Sequence, residues 1–466
     1  MITLETLDVA IIFLFFAVVL GIGLYSSRSS DKSKEGYLLS GRNLTLPLFV
    51  LTNVATWYGG ILGVGEFTYR YGLVSWFTQG LPYYIFAIIF AFLLAPKIRE
   101  TSLFTIPEKI TQTSGRTAGI FASLLVFLLV NPAPYILMLG TLLSLIFEIS
   151  LFYSVLISAF LSSIYLFWGG YKSDVRTDAF EFFVMFLGFI ILLFFVLQTS
   201  DFPETLIEQL PESHKTLTGG TSVTFILVWF LIALWTFADP GFHQRSYAAK
   251  TPKIAKWGII ISVGFWMIFD FLTTTTGLFS RVLLPNLEQP IYAFPLLAEA
   301  VLSSGFKGLF YAGLFATIIS TLNSFLFLSA TTFSRDFMIT ALRKDESKTN
   351  NYTRLGLLIS LILSIIIALK FQSVIEIWYI VGSICIPGLV AVITGAYFPK
   401  FRISPNLSVI QLIGSVVFSI SWFFIRGNLP SESFLSEIEP MIVGIFFVAV
   451  VYFVGRKVDR RSAGRV

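Results

Sequence analysis

Long apolar segments recur along almost the whole chain, and they constrain its fold more than any other feature of the sequence. Each is about 20 residues long, the length that an α-helix needs to cross roughly 30 Å of hydrocarbon. Only 13% of the 466 residues are charged and 56% are hydrophobic, whereas a soluble domain carries about 25% charged residues. The sequence therefore predicts an all-α, multi-pass integral protein of a cell (inner or plasma) membrane.

Apolar windows alternate with charged or Pro/Gly-rich breaks, and we interpret each window as one transmembrane helix. This rule predicts thirteen spans, numbered in chain order. They are residues 8–27, 45–69, 73–96, 117–143, 149–168, 175–198, 223–240, 256–280, 306–333, 353–370, 374–397, 407–425 and 440–455.

The distribution of basic residues predicts the orientation of these spans. With the amino terminus outside the cell and the carboxyl terminus inside, the segments facing the cytoplasm hold 26 of the 32 Lys and Arg residues. Cytoplasmic loops are enriched in these residues, so we predict an N-out/C-in topology with no Lys or Arg near the membrane centre. The segments are 28–43, 97–116, 169–176, 240–256, 335–354, 399–402 and 456–466.

Composition and motifs exclude several classes of function. The net charge of +5 is explained by basic cytoplasmic loops, so no nucleic-acid partner is predicted. One cysteine and two histidines do not make a haem, copper or zinc cluster. No catalytic triad, HExxH or Walker A motif occurs, so we predict neither an enzyme nor an ATP-driven pump. No obligate protein partner is evident.

Span 9 carries an unusual number of polar side chains. Thr317, Ser320, Thr321 and Ser324 follow the spacing i, i+3, i+4, i+7 and share one helical face, which Asn323 flanks. Such residues can bond back to their own helix carbonyls. Five oxygen-bearing side chains in one apolar span nevertheless favour a cation site, because hard cations prefer several oxygen ligands.

Span 2 contains Asn53, Gly59, Gly60, Gly63 and Gly65, which is unusual in a helix. The glycines permit either close packing against a neighbouring helix or an unwound segment whose free backbone groups line a cavity.

Acidic residues also occur in the predicted spans. Asp174, Asp178 and Glu181 share a face at the start of span 6. We interpret Asp174, which lies near Lys172 and Arg176, as a solvated interfacial charge, whereas Asp178 and Glu181 lie deeper and need a partner or a function. Asp270 in span 8 is interpreted as a packing or vestibule group.

Four segments, in order, resemble the sodium/solute symporter family, which includes the sodium–galactose, sodium–proline and sodium–sialic acid transporters. They are YLLSGRNL (37–44), GGYKSDVRTDAFEFFVMFLG (169–188), DPGFHQRSYAAKTPKIAKWG (239–258) and AFPLLAEAVLSSGFKGLFYAGLFATIISTLNS (293–324). The resemblance covers roughly residues 36–400. It implies a LeuT-type core of two inverted five-helix repeats, 36–200 and 201–402, with an additional span in 1–35 and two more, with a basic tail, in 403–466.

The resemblance also implies ligand sites. A first sodium would bind the backbone carbonyls of Asn53, Thr56 and Thr317 and the hydroxyls of Ser320 and Thr321. A possible second sodium would bind Asp178, Ser320, Asn323 and Ser324, although Asn323 replaces a serine of the sialic acid transporters.

The family's solute positions fall on Gly60, Gln79, Trp235 and Tyr379. Gly60 replaces a side-chain contact, Trp235 stands where the galactose transporter has a gating tyrosine, and most of the sugar-binding polar set is missing. A break in span 7 is likewise implied only by the resemblance, since no glycine precedes Asp239-Pro240-Gly241.

These features together predict a secondary active symporter in which Na+ drives the import of a small polar organic solute by alternating access. The expected solute is neutral or zwitterionic, such as an amino acid or a sugar, or a monocarboxylate held by backbone amides of span 2. Membrane lipid is the other expected partner. The alternative is a solute sensor or receptor that uses a transporter fold without net transport.

Overall fold

The computed structural model describes residues 2–28, 33–199, 204–371, 374–430, 433, 435 and 438–463. Every regular element in these ranges is helical. The first ten α-helices are α1 (Thr6–Arg28), α2 (Lys34–Leu39), α3 (Leu46–Ala55), α4 (Ile61–Tyr71), α5 (Leu81–Leu93), α6 (Ala95–Glu100), α7 (Ile106–Leu129), α8 (Ala133–Phe147), α9 (Leu151–Ser163) and α10 (Leu166–Thr199).

The remaining helices follow in the second half of the chain, and π-helical turns at Trp76–Gly80 and Phe333–Ala341 extend α5 and α17. They are α11 (Glu204–Gln209), α12 (Val223–Ile232), α13 (Trp235–Ala238), α14 (Pro240–Ala248), α15 (Pro252–Leu283), α16 (Ala293–Val301), α17 (Phe306–Thr332), α18 (Thr349–Lys370), α19 (Val374–Tyr397), α20 (Pro405–Arg426) and α21 (Pro440–Ala463).

Eleven helical segments in the described part of the chain are long and apolar enough to cross a membrane. The predicted spans 45–69 and 149–168 are not among them, because the first is divided into α3 and α4 and the second shortens to the 13-residue α9. The predicted boundary between the two repeats, at residues 200 and 201, lies outside the described residues.

The break between α3 and α4 shows why span 2 is rich in glycine. A Cβ atom on Gly59 would lie 2.3 Å from Cβ of Thr321, and one on Gly60 would lie 2.2 Å from Cη2 of Trp378. Since any side chain at these positions would collide with α17 or α19, the chain passes between them only as backbone. Both readings of the glycines therefore apply: the helix is interrupted, and it packs closely.

The seventh predicted span is also broken, although no glycine precedes the break. Asp239 has extended backbone angles, and its Oδ1 accepts a hydrogen bond of 2.9 Å from the backbone N–H of Phe242. Pro240 disfavours a helical conformation at the preceding residue, and an aspartate side chain is a good N-cap. The Asp-Pro pair therefore ends α13 and begins α14.

Helix α17 occupies the centre of the bundle. In its most apolar window 94% of the residues are buried, and its glycines allow α10 to approach closely. A Cβ on Gly188 of α10 would lie 3.4 Å from Cα of Gly313, the close approach that small residues permit between membrane helices. The acidic face of α10 is thereby held against the polar face of α17.

One end of the bundle is tied together by ion pairs, which we call the basic-end network (Lys34, Glu108, Arg335 and Glu346). Arg335 lies 2.6 Å from the Glu108 carboxylate and 2.7 Å from that of Glu346, and Lys34 lies 2.9 Å from Glu346. The network joins α2, α7 and the π-helical end of α17. Through α7 it also supports α14, because the Tyr247 hydroxyl donates to the Thr105 carbonyl at 3.2 Å.

Candidate functional site

The two helix breaks, between α3 and α4 and between α13 and α14, border one cavity of about 200 Å³. Its walls come from α3 and α4, the π-helical turn and the start of α5, α8, α12–α15, α17 and α19. Interrupted helices leave backbone groups free at membrane depth, and such groups are tolerated where they line a cavity. The geometry is therefore that of a ligand site deep within the bundle.

The residues of the predicted first sodium site lie where α17 passes the end of α3. The Thr321 hydroxyl donates to the Thr56 carbonyl at 3.0 Å, and it lies 3.4 Å from the Thr317 carbonyl. The Thr317 hydroxyl instead donates to the Gly313 carbonyl at 2.6 Å, so this side chain bonds to the backbone of its own helix. Asn53 is buried one turn before Thr56.

Ser320 faces the predicted second site. Its hydroxyl donates to Oδ1 of Asp178 at 2.6 Å, and Asp178 also accepts a hydrogen bond from Thr52. Ser320 thus links the two predicted sodium sites: its own hydroxyl bonds to Asp178, and its neighbour Thr321 contacts the Thr56 carbonyl of the first site. Thr52, which the sequence analysis missed, belongs to this polar centre because it lies on α3 one turn before Thr56.

The other two residues of the second set have different partners. The Ser324 hydroxyl donates to Oδ2 of Asp174 at 2.7 Å, and the Asn323 amide donates to the Tyr165 hydroxyl. The carbonyl oxygen of Asn323 has no hydrogen-bond partner among the described residues. The structure thus places all four predicted ligands between α10 and α17 but does not turn them toward a single point.

Arg245 lies in the middle of this polar centre. Its Nη2 is 2.7 Å from Oγ1 of Thr56, 3.2 Å from Oγ of Ser324 and 3.8 Å from Oδ2 of Asp178. Only 2% of the residue is exposed. Arg245 was counted in the basic segment 240–256, but it does not lie in a loop: the chain continues beyond the Asp-Pro break as α14, which buries this arginine.

Asp174 also differs from its predicted setting. It is fully buried against Ser324 and is not a solvated interfacial charge. The physical reason is a turn at Gly170, where φ is +55°; the turn packs the start of α10 against α2 and α17. Glu181 is buried as well, and neither of its carboxylate oxygens has a hydrogen-bond partner among the described residues.

The four predicted solute positions, Gly60, Gln79, Trp235 and Tyr379, all line the cavity. Tyr379 is the most constrained, because its hydroxyl bonds to the Glu439 carboxylate and accepts from Nη1 of Arg426 at 2.9 Å. Its ring faces the cavity while its hydroxyl ties α19 to α20 and α21.

Sequence reasoning missed most of the cavity wall. Many of the missed residues are aromatic, and the only signal for them was the high overall content of Phe, Tyr and Trp, 17% of the chain. Trp57 stacks on Trp266 with ring centroids 4.8 Å apart and meets the edge of Tyr83 at 5.0 Å. Further lining residues that were missed are Tyr58, Phe67, Trp76, Tyr135, Trp229, Phe242, Phe325 and Trp378. Asp239 and Asp270, which the sequence analysis named, also line the cavity.

Comparison with known proteins places this geometry in a wider context. A family model described as "Sodium:solute symporter family" matches residues 37–400. The chain is 25% identical to a sodium/glucose cotransporter of Vibrio parahaemolyticus over 96% of this chain and 90% of that protein. It is also 25% identical to a sodium/pantothenate symporter of Haemophilus influenzae over 97% and 96% of the two chains.

Solved structures show the same fold. The substrate-bound, outward-open structure of a Na+-coupled sialic acid symporter superposes with a TM-score of 0.82 at 16% sequence identity, covering 97% of each chain. At this identity the likeness concerns the fold alone.

Proposed function

Because the chain belongs to the sodium:solute symporter family, we propose that it uses sodium flow into the cell to import a small polar organic solute by alternating access. The chain is a multi-pass membrane protein of a transporter family, and its relatives are transporters, not enzymes. Sodium-coupled symport is the activity that this family and fold support. The topology, the ion site and the solute site below are proposals.

We propose a LeuT-type core in which predicted spans 2–6 and 7–11 form two inverted repeats, with the amino terminus outside. Supporting this, the first span of each repeat is the broken one: α3 and α4 in the first, α12–α14 in the second. Transporters built from inverted repeats bind substrate and ions at such discontinuous helices. An odd number of spans in each repeat reverses the orientation of the second.

The observation that carries the proposal is the contact between Thr321 and the Thr56 carbonyl beside the cavity. We propose that sodium binds there between carbonyl oxygens of Asn53, Thr56 and Thr317 and the hydroxyls of Ser320 and Thr321. Each sodium that enters down a 100 mV potential supplies about 2.3 kcal/mol. By linkage, solute and sodium raise each other's affinity by the same factor if the ion stabilises the state in which the cavity is formed.

Transport by the purified protein in proteoliposomes tests this function. An inward sodium gradient should drive accumulation of a solute from a panel of amino acids, sugars and monocarboxylates, and replacing sodium by potassium should stop it. Solute counterflow distinguishes transport from sensing, because a sensor on a transporter fold exchanges no solute across the membrane. Sodium-dependent binding without counterflow would contradict the proposal.

Trp235 and Gln79 are expected to govern solute affinity and not sodium affinity. Both line the cavity, where an aromatic face and an amide can position a solute. Replacing either by Ala should raise the solute half-saturation at least about tenfold, the loss of roughly one good contact. Uptake titrations measure this, and sodium-dependent thermal stabilisation without solute should be unchanged.

Matched controls for these variants are Trp168→Ala and Gln289→Ala, since both side chains are exposed. Equal loss of solute and sodium binding in Trp235→Ala or Gln79→Ala would identify a packing role instead.

Asp178 tests the second sodium site. If Asp178 binds a second sodium, uptake by the wild-type protein will show a Hill coefficient for sodium above one. Asp178→Asn will then reduce this coefficient to one, while sodium still binds at the first site. Glu181→Gln, one turn along the same helix, is the control expected to leave the coefficient unchanged. A reversal potential that corresponds to one sodium per solute would contradict a second site and leave Asp178 as the partner of Arg245.

A further inference from the structure

The charges around the cavity are not balanced. Asp239, Arg245 and Asp270 are the charged residues among the described residues that line it. Asp239 and Arg245 lie on the same side, since a Cβ on Gly241 would be 2.9 Å from Oδ1 of Asp239 and 3.1 Å from Nη1 of Arg245. Asp270 has no basic side chain within 4 Å in the described part of the chain. One carboxylate at the cavity therefore lacks a cation.

Asp270 lies near the middle of α15 and is mostly buried, and it lines the cavity. Its Oδ2 accepts a hydrogen bond from Tyr84. A Cβ on Gly80 would lie 2.9 Å from this oxygen and 3.0 Å from Cδ1 of Trp76. The absence of a side chain at position 80 is what allows the carboxylate and the Trp76 indole to meet at the same place.

Aromatic side chains line the same cavity as this carboxylate. Trp57 packs on Trp266, which lies one helical turn before Asp270, and meets Tyr83 at 5.0 Å. Trp57, Trp76 and Tyr83 are each half-exposed and line the cavity. The faces of Trp and Tyr attract cations, most strongly when water is excluded. A cavity that holds both a carboxylate and several such rings is suited to binding an organic ammonium group.

We propose that the transported solute carries an ammonium group, quaternary or protonated, that binds between the Asp270 carboxylate and the rings of Trp57, Trp76 and Tyr83. The inference rests on the proposed transport function and narrows the solute class to organic cations and zwitterions. It disfavours neutral sugars and simple monocarboxylates, which would leave Asp270 buried beside the solute without a counter-charge. The cavity of about 200 Å³ has room for a small organic solute.

Isosteric probes test the charge directly. Choline and 3,3-dimethylbutan-1-ol have nearly the same shape, but only choline is charged. Glycine betaine has the same trimethylammonium group as choline, with a carboxylate in place of the hydroxymethyl group. Each is titrated against the purified full-length protein in saturating sodium, with tryptophan fluorescence and calorimetry as readouts. We expect choline or glycine betaine to bind at least tenfold more tightly than the neutral alcohol. Equal affinity of the alcohol, or no binding of either charged probe, would overturn the inference.

Asp270→Asn should weaken binding of the charged probe at least tenfold without changing its sodium-dependent stabilisation in the absence of probe. The control is Glu288→Gln, which removes an exposed carboxylate outside the helices. Should Asp270→Asn fold poorly, Trp76→Phe and Trp76→Leu serve in its place: the aromatic variant should retain most of the affinity and the aliphatic one should lose it. Unchanged charged-probe affinity in Asp270→Asn, or equal affinities in the two Trp76 variants, would overturn the assignment.

The outcomes distinguish a failure of the proposed symport function from a failure of the inference about Asp270. A wild-type protein that is not stabilised by sodium contradicts the proposed symport function itself. A protein that is stabilised by sodium and accumulates a neutral solute, but shows no preference for the ammonium probes, overturns only the inference about Asp270.

Discussion

Replacing Ser320 and Thr321 together by Ala is expected to abolish sodium-dependent stabilisation and sodium-driven uptake while the fold remains assembled. Thr321 touches the Thr56 carbonyl, and Ser320 reaches Asp178, so the double variant removes both side-chain oxygens of the proposed first site. A dehydrated alkali cation needs several oxygen ligands, and three carbonyls alone are too few. We expect the apparent sodium affinity to fall at least about 100-fold, at roughly 1.4 kcal/mol for each tenfold loss.

Helix α17 offers matched controls for this variant. Ser329→Ala removes a buried hydroxyl of the same helix whose partner is Ser360 at 2.8 Å. Thr317→Val removes a hydroxyl that bonds only its own helix while keeping the carbonyl assigned to sodium. Both should retain wild-type sodium dependence in a thermal-shift titration. A double variant that binds solute with unchanged sodium dependence would show that the ion lies elsewhere.

Arg245→Leu should be among the most destabilising single substitutions in the chain. The guanidinium is buried with Thr56, Ser324 and Asp178 around it. Removing one partner of a buried ion pair leaves the other charge uncompensated, at a cost of about 3–5 kcal/mol. Thermal unfolding in detergent, followed by tryptophan fluorescence, measures the loss. Arg245→Lys should recover little of it, because a single ammonium cannot replace both the Nη2 contacts to Thr56 and Ser324 and the Nη1 bond to the Gly241 carbonyl.

Two comparisons separate the buried pair from a general effect of losing an arginine. Arg70→Leu removes an arginine that pairs with Glu66 at 3.0 Å but is half-exposed, and exposed pairs contribute only about 0–1 kcal/mol. Combining Arg245→Leu with Asp178→Asn should cost less than the sum of the two single variants, since the uncompensated charge is gone. Strict additivity would mean that Arg245 and Asp178 are not coupled.

Features that depend only on residues close together in the sequence could be predicted from it. The length of the apolar segments predicted a multi-pass helical protein, because hydrocarbon thickness sets helix length. The spacing of Ser320, Thr321 and Ser324 predicted a polar helical face, because the helical period is set by the backbone. The glycines at 59 and 60 predicted either close helix packing or an unwound segment, and the sequence did not decide between them.

Other features depended on which helices meet. The thirteen spans stay a prediction, because α3, α4 and α9 are each too short to count singly as a membrane span. The lengths of these helices depend on how the chain packs around their ends. The basic residues beside Asp174 in the sequence suggested a solvated charge. The turn at Gly170 instead directs Asp174 toward Ser324. No periodicity within α10 contains that information.

The sequence by itself determined the membrane setting, the helical class, the family resemblance and the polar stripe of α17, because each is set by composition or by spacing along one helix. Only the tertiary structure decided that Arg245 enters the polar centre and that Asp270 lines the same cavity as Trp57 and Trp76. A buried charge is stable only with partners, and those partners come from α3, α10 and α17 for Arg245 and from α5 and the π-helical turn for Asp270. Residues this far apart in the chain become neighbours through helix packing, which no local pattern encodes.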